Sequence, residues 1–107
     1  MLERQLRRQA VQIFRAALEA SDPGVAVRRH VRLDGATLAA GGRRYDLNAF
    51  ERILVLGAGK AGAAMAKAVE GILGRRISTG LVNVKYGHLA RLRRVELNEC
   101  GHPVPDE

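Results

Sequence analysis

The side chains best suited to chemistry in this 107-residue chain fall in two short stretches. The first is Gly57-Ala58-Gly59-Lys60-Ala61-Gly62, which follows the apolar run Ile53-Leu54-Val55-Leu56 and leads into Ala63-Ala64-Met65-Ala66. A strand that breaks at glycines and restarts as a helix aims free backbone N–H groups, and the positive end of the helix dipole, at the space above the strand. Phosphate is the usual occupant of such a space. Lys60 adds an ammonium where the helix dipole already disfavours a cation, so its presence argues for an anionic ligand, a phosphate or a carboxylate. Gly57, Gly59, Lys60 and Ala61 are therefore the candidate binding residues of this turn. The second stretch is Gly101-His102-Pro103-Val104-Pro105-Asp106-Glu107. A proline-stiffened loop that holds a histidine and two carboxylates suits substrate or metal-ion binding, with His102 and Asp106 as its candidates. On spacing alone, an ordinary exit loop explains it equally well. His30 and His88 lie in polar surroundings and read as surface residues.

Gly57-x-Gly59-x-x-Gly62 has the spacing of the dinucleotide fingerprint and its strand-to-helix context. That site also wants Asp or Glu at the end of the second strand to bind ribose hydroxyls. The corresponding region here is Val84-Lys85-Tyr86-Gly87-His88, without a carboxylate. Lys85 could suit an extra phosphate, which keeps a phosphorylated nicotinamide cofactor open and disfavours the ordinary one. The motif is not the P-loop, whose glycines stand further apart and whose lysine is followed by Ser or Thr.

The elements that must position these residues follow from periodicity. Leu2, Leu6, Ala10, Ile13 and Ala17 mark one face of an amphipathic helix over 2–20, expected to pack on a larger body. Asp22-Pro23 is an N-cap followed by proline at the first helical position and starts a short second helix through about His30. From Val31 to Leu47, strand-like pieces separated by Asp34-Gly35 and Gly41-Gly42 predict a small β-ribbon. A buried strand over Arg52 to Leu56, a helix to about Leu73 that ends at Gly74, and a strand over Gly80 to Lys85 form a parallel, right-handed βαβ unit. Met65, Val69 and Ile72 give that helix its core stripe, with Ala61, Ala64 and Ala68 for close approach to a sheet. Arg94 to Glu99 alternates as a third strand, after a connector too short for a crossover helix. The expected architecture is α/β: a Rossmann-like parallel βαβ core over 52–99, with the N-terminal helix and the ribbon before it and a loop over 100–107.

Composition narrows the function. With 47% apolar and 27% charged residues the chain is globular. Its net charge of +7 rests on arginines scattered in pairs, with two Tyr, two Phe and no Trp. A nucleic-acid surface collects its cations on one element and interleaves aromatics, so that class is disfavoured. A single cysteine, Cys100, excludes an internal disulfide and a thiolate-rich metal site, and reads as a small buried thiol. No run approaches the roughly 18 apolar residues of a membrane span, and the N-terminus lacks the apolar core of a signal peptide. A cytoplasmic location is the expectation, as is a chain that stops before its fold is complete, a fragment of a larger protein.

Ile53 to Ala61, Met65-Ala66, Gly80-Leu81-Val82 and Gly101 to Glu107 together resemble the N-terminal part of the class II glycerate 2-kinases. That family is also known from its MOFRL C-terminal region and is often labelled hydroxypyruvate reductase. The resemblance covers nearly the whole chain, and the Gly-Ala-Gly-Lys-Ala and Gly-His-Pro-Val-Pro-Asp-Glu blocks are together specific. It implies ATP-dependent phosphorylation of D-glycerate at its 2-hydroxyl, with a divalent cation such as Mg2+, in a cleft between this domain and a C-terminal domain absent here. Lys60 then matches the family's functional lysine, either neutralising the transferring phosphate or holding the glycerate carboxylate. The loop from His102 to Glu107 lies near the cleft by the same resemblance, and the isolated piece is expected to be inactive. Two other classes stay in view: an NADP-dependent hydroxypyruvate reductase and a non-enzymatic basic nucleotide-binding module.

Overall fold

A computed structural model describes residues 2–107. Helix α1 (Leu2–Ala20) is followed by α2 (Pro23–His30), an antiparallel sheet of β1 (Val31–Asp34), β2 (Thr37–Ala40) and β3 (Arg43–Asp46), and one 3-10 turn at Leu47–Ala49. Then come β4 (Leu54–Ala58), α3 (Gly62–Leu73), a second 3-10 turn at Gly74–Arg76, β5 (Thr79–Lys85) and β6 (Val95–Cys100). The strands β4, β5 and β6 form a parallel sheet in that order, with Gly57 opposite Val82 and Val82 opposite Leu97.

The helix starts and stops follow local chemistry. Asp22 caps α2 by accepting from the Val25 N–H at 3.0 Å, ahead of Pro23 at the first helical position. Gly74 closes α3 with φ of 53°, a conformation that side chains resist. The ribbon is a three-stranded antiparallel sheet turning at Asp34-Gly35 and Gly41-Gly42 as read, and Leu33 and Leu38 from it pack against the main core.

That core lies between α3 and one face of the parallel sheet: Ala63, Ala66 and Leu73 against Ile77, Val82, Val84 and Val95, with Leu47 closing the ribbon side. Strand β5 alternates accordingly, with Gly80, Val82 and Val84 buried and Thr79, Leu81 and Asn83 outward. The opposite face of the sheet is open. Leu54, Leu56 and Leu81 lie on it, and Leu56 is 75% exposed. The expectation of a fully buried first strand therefore fails: a continuous apolar run signals burial on both faces, whereas a single helix covers one. The strand is also shifted, to Leu54–Ala58 rather than 52–56.

Two further expectations are corrected. Helix α1 forms over the stretch read from its periodicity, but it has no buried residue, and Ile13 is 71% exposed. It projects beyond the rest of a molecule 62 Å long and 21 Å thick, its apolar stripe uncovered among the described residues. Amphipathicity dictates that a helix has a face to bury; it does not supply the partner. Met65 lies not in the core stripe of α3 but at its exposed edge, and the alanines that join the core against the sheet are Ala63 and Ala66, while Ala64 is exposed.

Strand β6 forms parallel to β5 without a crossover helix. The connector over 86–94 has nine residues; extended, such a chain reaches about 30 Å, enough to travel back along a strand of β5's length. Its far end is fixed by Glu70 of α3, whose carboxylate accepts from the backbone N–H groups of Arg93, Arg94 and Val95, the last two at 3.0 and 3.2 Å.

Candidate functional site

The glycine turn sits at the carboxyl end of β4, where ligands of open parallel sheets bind. Two of its glycines are dictated by geometry. Gly59 has φ of 125°, unsuited to a side chain, and its N–H donates to Asn83 O of β5 at 2.9 Å. A Cβ on Gly62 would lie 2.6 Å from Val82 Cγ1, so glycine lets the first turn of α3 press onto β5. Ala61, at the N-cap, provides no side-chain cap. The Gly62 N–H at the start of α3 donates to Gly59 O at 3.0 Å, and no side chain caps the amides that follow it, which have the helix dipole behind them.

These residues line a cavity of about 480 Å³ together with Val55, Met65, Ala66, Val69 and Val82. Lys60 and His102 are the ionisable side chains in its wall. Five of the six residues expected to form the site therefore meet at one place: Gly57, Gly59, Lys60, Ala61 and, from 41 residues further along the chain, His102. The sixth, Asp106, does not line the cavity. Its carboxylate accepts from the Tyr86 hydroxyl at 2.8 Å and, with the Gly101 backbone N–H, the loop over 101–107 folds back on itself. The Gly101 amide and the Tyr86 hydroxyl hold the Asp106 carboxyl below its ordinary range, and the same carboxylate, first by hydrogen bonding and then by charge, pushes the Tyr86 hydroxyl up. Asp106 thus fastens the loop that carries His102, a role its spacing did not suggest.

Other side chains support the site without a signal strong enough to single them out. Asn83, polar within an apolar strand, receives the Asn98 amide at 3.1 Å and offers its carbonyl to the glycine turn. Glu99 accepts from the Gly87 N–H at 2.8 Å, so the carboxylate nearest the end of β5 is engaged in holding the connector. Cys100 is half-buried and donates to Val84 O at 3.4 Å. His30 and His88 are exposed, as read from the sequence. Among the described residues no group of three or more His, Cys, Asp or Glu forms a metal-ion site. No helix among them is long and apolar enough to cross a membrane.

By its fold the chain is a Rossmann-like α/β unit, three parallel strands with a glycine turn opening the crossover helix. Residues 9–107 match the family described as Domain of unknown function (DUF4147), and the chain belongs to that family. It is similar to the glycerate 2-kinase of Pyrococcus horikoshii, 31% identical over 107 residues, which cover all of this chain and 23% of that protein. Among solved structures, a Pyrococcus horikoshii protein superposes with a TM-score of 0.78 at 31% identity, over 94% of this chain and 22% of that one. A glycerate kinase of Thermotoga maritima gives 0.67 at 32% identity, over 97% and 22%. The resemblance to the N-terminal part of the glycerate 2-kinases is borne out, and the chain spans less than a quarter of the length of these relatives.

Proposed function

We propose that the protein containing this chain transfers the terminal phosphoryl group of ATP to the 2-hydroxyl of D-glycerate, giving 2-phosphoglycerate, and that the chain alone is inactive. The observation that carries this reading is the meeting of Lys60, the uncapped start of α3 and His102 in one largely apolar cavity, in a chain whose relatives include proteins named glycerate kinase. In the transfer, the glycerate oxygen forms a bond to the terminal phosphorus as the bond to the bridging oxygen breaks. ADP leaves, and the hydroxyl proton passes to a base. Little covalent chemistry is asked of the protein; it must place the two substrates and hold the charge.

The residues present fit that demand. Backbone amides at the start of α3 and the Lys60 ammonium would receive phosphate oxygens or the glycerate carboxylate, as fixed donors that need no reorganisation. Val55, Met65, Ala66 and Val69 give the same wall an apolar lining, which, once the cavity is closed, would favour transfer to glycerate over hydrolysis. Among the described residues no group of three or more His, Cys, Asp or Glu is assembled for Mg2+, which usually keeps several waters and rests on one or two carboxylates plus substrate phosphates. The C-terminal domain of the full-length protein would close the cavity and supply the remaining ligands, in a cytoplasmic enzyme.

The test uses the full-length protein with ATP, Mg2+ and D-glycerate, and in parallel with NADPH and hydroxypyruvate. Formation of 2-phosphoglycerate is expected; NADPH oxidation without ATP dependence overturns the kinase reading. Lys60→Ala is expected to lower kcat by about 10²–10³, the scale of losing one fixed donor to developing charge, with unchanged thermal unfolding. Near-normal turnover would remove Lys60 from the mechanism.

A further inference from the structure

A second, larger cleft of about 880 Å³ lies at the other end of α3, between its C-terminal half and the connector that leads into β6. Its walls carry Lys67, Arg75, Arg91, Arg93 and Arg94 against one carboxylate, Glu70. That carboxylate is already engaged by three backbone N–H groups. None of the five cations has a carboxylate partner within ion-pair distance among the described residues, where Arg7–Glu3 on α1 is the pair that forms. The carbonyl end of α3 accounts for a cation at Arg75, one residue beyond Gly74. It does not account for Arg91 or Arg93, which the connector brings from more than fifteen residues away in sequence.

We propose that this cleft is a second anion site, separate from the glycine turn, that takes a chain of linked phosphates. Charge, shape and donor type in the cleft all point to such a ligand. Like charges gathered around a concavity repel one another unless an anion offsets them, and several cations ask for several negative groups close together. Four of the five are arginines, whose planar fork matches two oxygens of one phosphate, and Arg94 is pre-set by donating from Nη1 to Ile77 O at 3.2 Å. No aromatic side chain lines the cleft, so it offers no platform for stacking the bases of a single-stranded nucleic acid. Inorganic polyphosphate and the phosphate chain of a nucleoside triphosphate share the chemistry that fits.

The test is calorimetric titration of the full-length protein with inorganic tripolyphosphate, at low and at raised salt. The comparison variants are Arg75→Gln/Arg91→Gln, which alters two exposed side chains, and Lys60→Gln, which alters the other site. Binding is expected to weaken as salt is added and, measured in the Lys60→Gln background so that the glycine turn does not contribute, to fall at least about tenfold when the double substitution is added. It is expected to persist in Lys60→Gln, and Arg75→Lys/Arg91→Lys should recover part of it by restoring charge. ATP titrated into Lys60→Gln distinguishes the sources: affinity equal to that of tripolyphosphate assigns the site to phosphates alone, and tighter binding adds recognition of the nucleoside. Unchanged binding in the double variant, or binding lost only in Lys60→Gln, overturns the proposal. So does equal binding of a tetraglutamate peptide or a short DNA duplex, which would make the cleft a surface for acidic macromolecules. Because Lys60→Gln is scored separately, failure here is distinguishable from failure of the kinase reading.

Discussion

Glu70 is the side chain on which the third strand depends, and Glu70→Ala is the perturbation that shows it. The carboxylate accepts three backbone N–H bonds in succession, from Arg93, Arg94 and Val95. Hydrogen bonds to a charged acceptor are worth about 1.5–3 kcal/mol each when nothing replaces them. Arg93 and Arg94 are exposed, so water takes over much of their share, while Val95 is 5% exposed and its N–H is left without a partner. The expected loss is about 2–3 kcal/mol, felt at the entrance to β6. The assay is amide hydrogen exchange at Arg93 to Val95, which reads local opening and does not require the whole protein to unfold as one unit. About 2 kcal/mol corresponds to roughly thirtyfold faster exchange at Val95 when opening and closing are fast. The same clamp has a pH signature. Desolvation raises the Glu70 pKa, but the three backbone bonds, with the charge of Arg93, outweigh it and set the folded value below the ordinary 4.5. Stability from this group is therefore complete above about 4.5 and lost as pH falls through the lower, folded value. The difference between the native protein and Glu70→Ala should shrink in that acid range. Less than about threefold change at Val95, or a difference that persists unaltered into acid, refutes the clamp.

Other outcomes follow from the same geometry. Gly62→Ala should destabilise the protein by about 1–3 kcal/mol through overpacking against Val82; denaturant unfolding measures this, and Val82→Ala in the same chain should return part of the loss. Asp106→Asn should bring the Tyr86 hydroxyl down toward its ordinary value of 10.0, seen by spectrophotometric titration against Tyr86→Phe as a blank. It should also make the loop over 101–107 more sensitive to proteolysis, whereas an unmoved titration would deny the Tyr86–Asp106 bond a role in fastening His102.

The reach of sequence reasoning differed from element to element for physical reasons. Asp22-Pro23, the strand-like apolar run of 80–85 and the break at Gly57 to Gly62 are local, since capping, strand propensity and turn chemistry act within a few residues. The corresponding elements were legible in outline, and the open face of β4 and the uncovered stripe of α1 were not. A hydrophobic pattern states that a face seeks burial, while whether a partner lies there depends on chain far away. Met65 shows the same limit at single-residue scale, apolar and in helical phase yet set at the cavity rather than in the core.

At the site, the sequence by itself determined the chemistry of the glycine turn: glycine where φ is positive and where the helix meets the strand, and a lysine where a helix start disfavours one. Tertiary structure decided who joins it. His102 enters the cavity wall and Asp106 does not, because β6 runs parallel to β5 and returns the chain to the same sheet edge, where Tyr86 captures the Asp106 carboxylate. Glu70 makes that return possible by supplying, from α3, the acceptor that the helixless connector lacks. Such pairings bring together residues some twenty positions apart, and no spacing rule reaches across that distance.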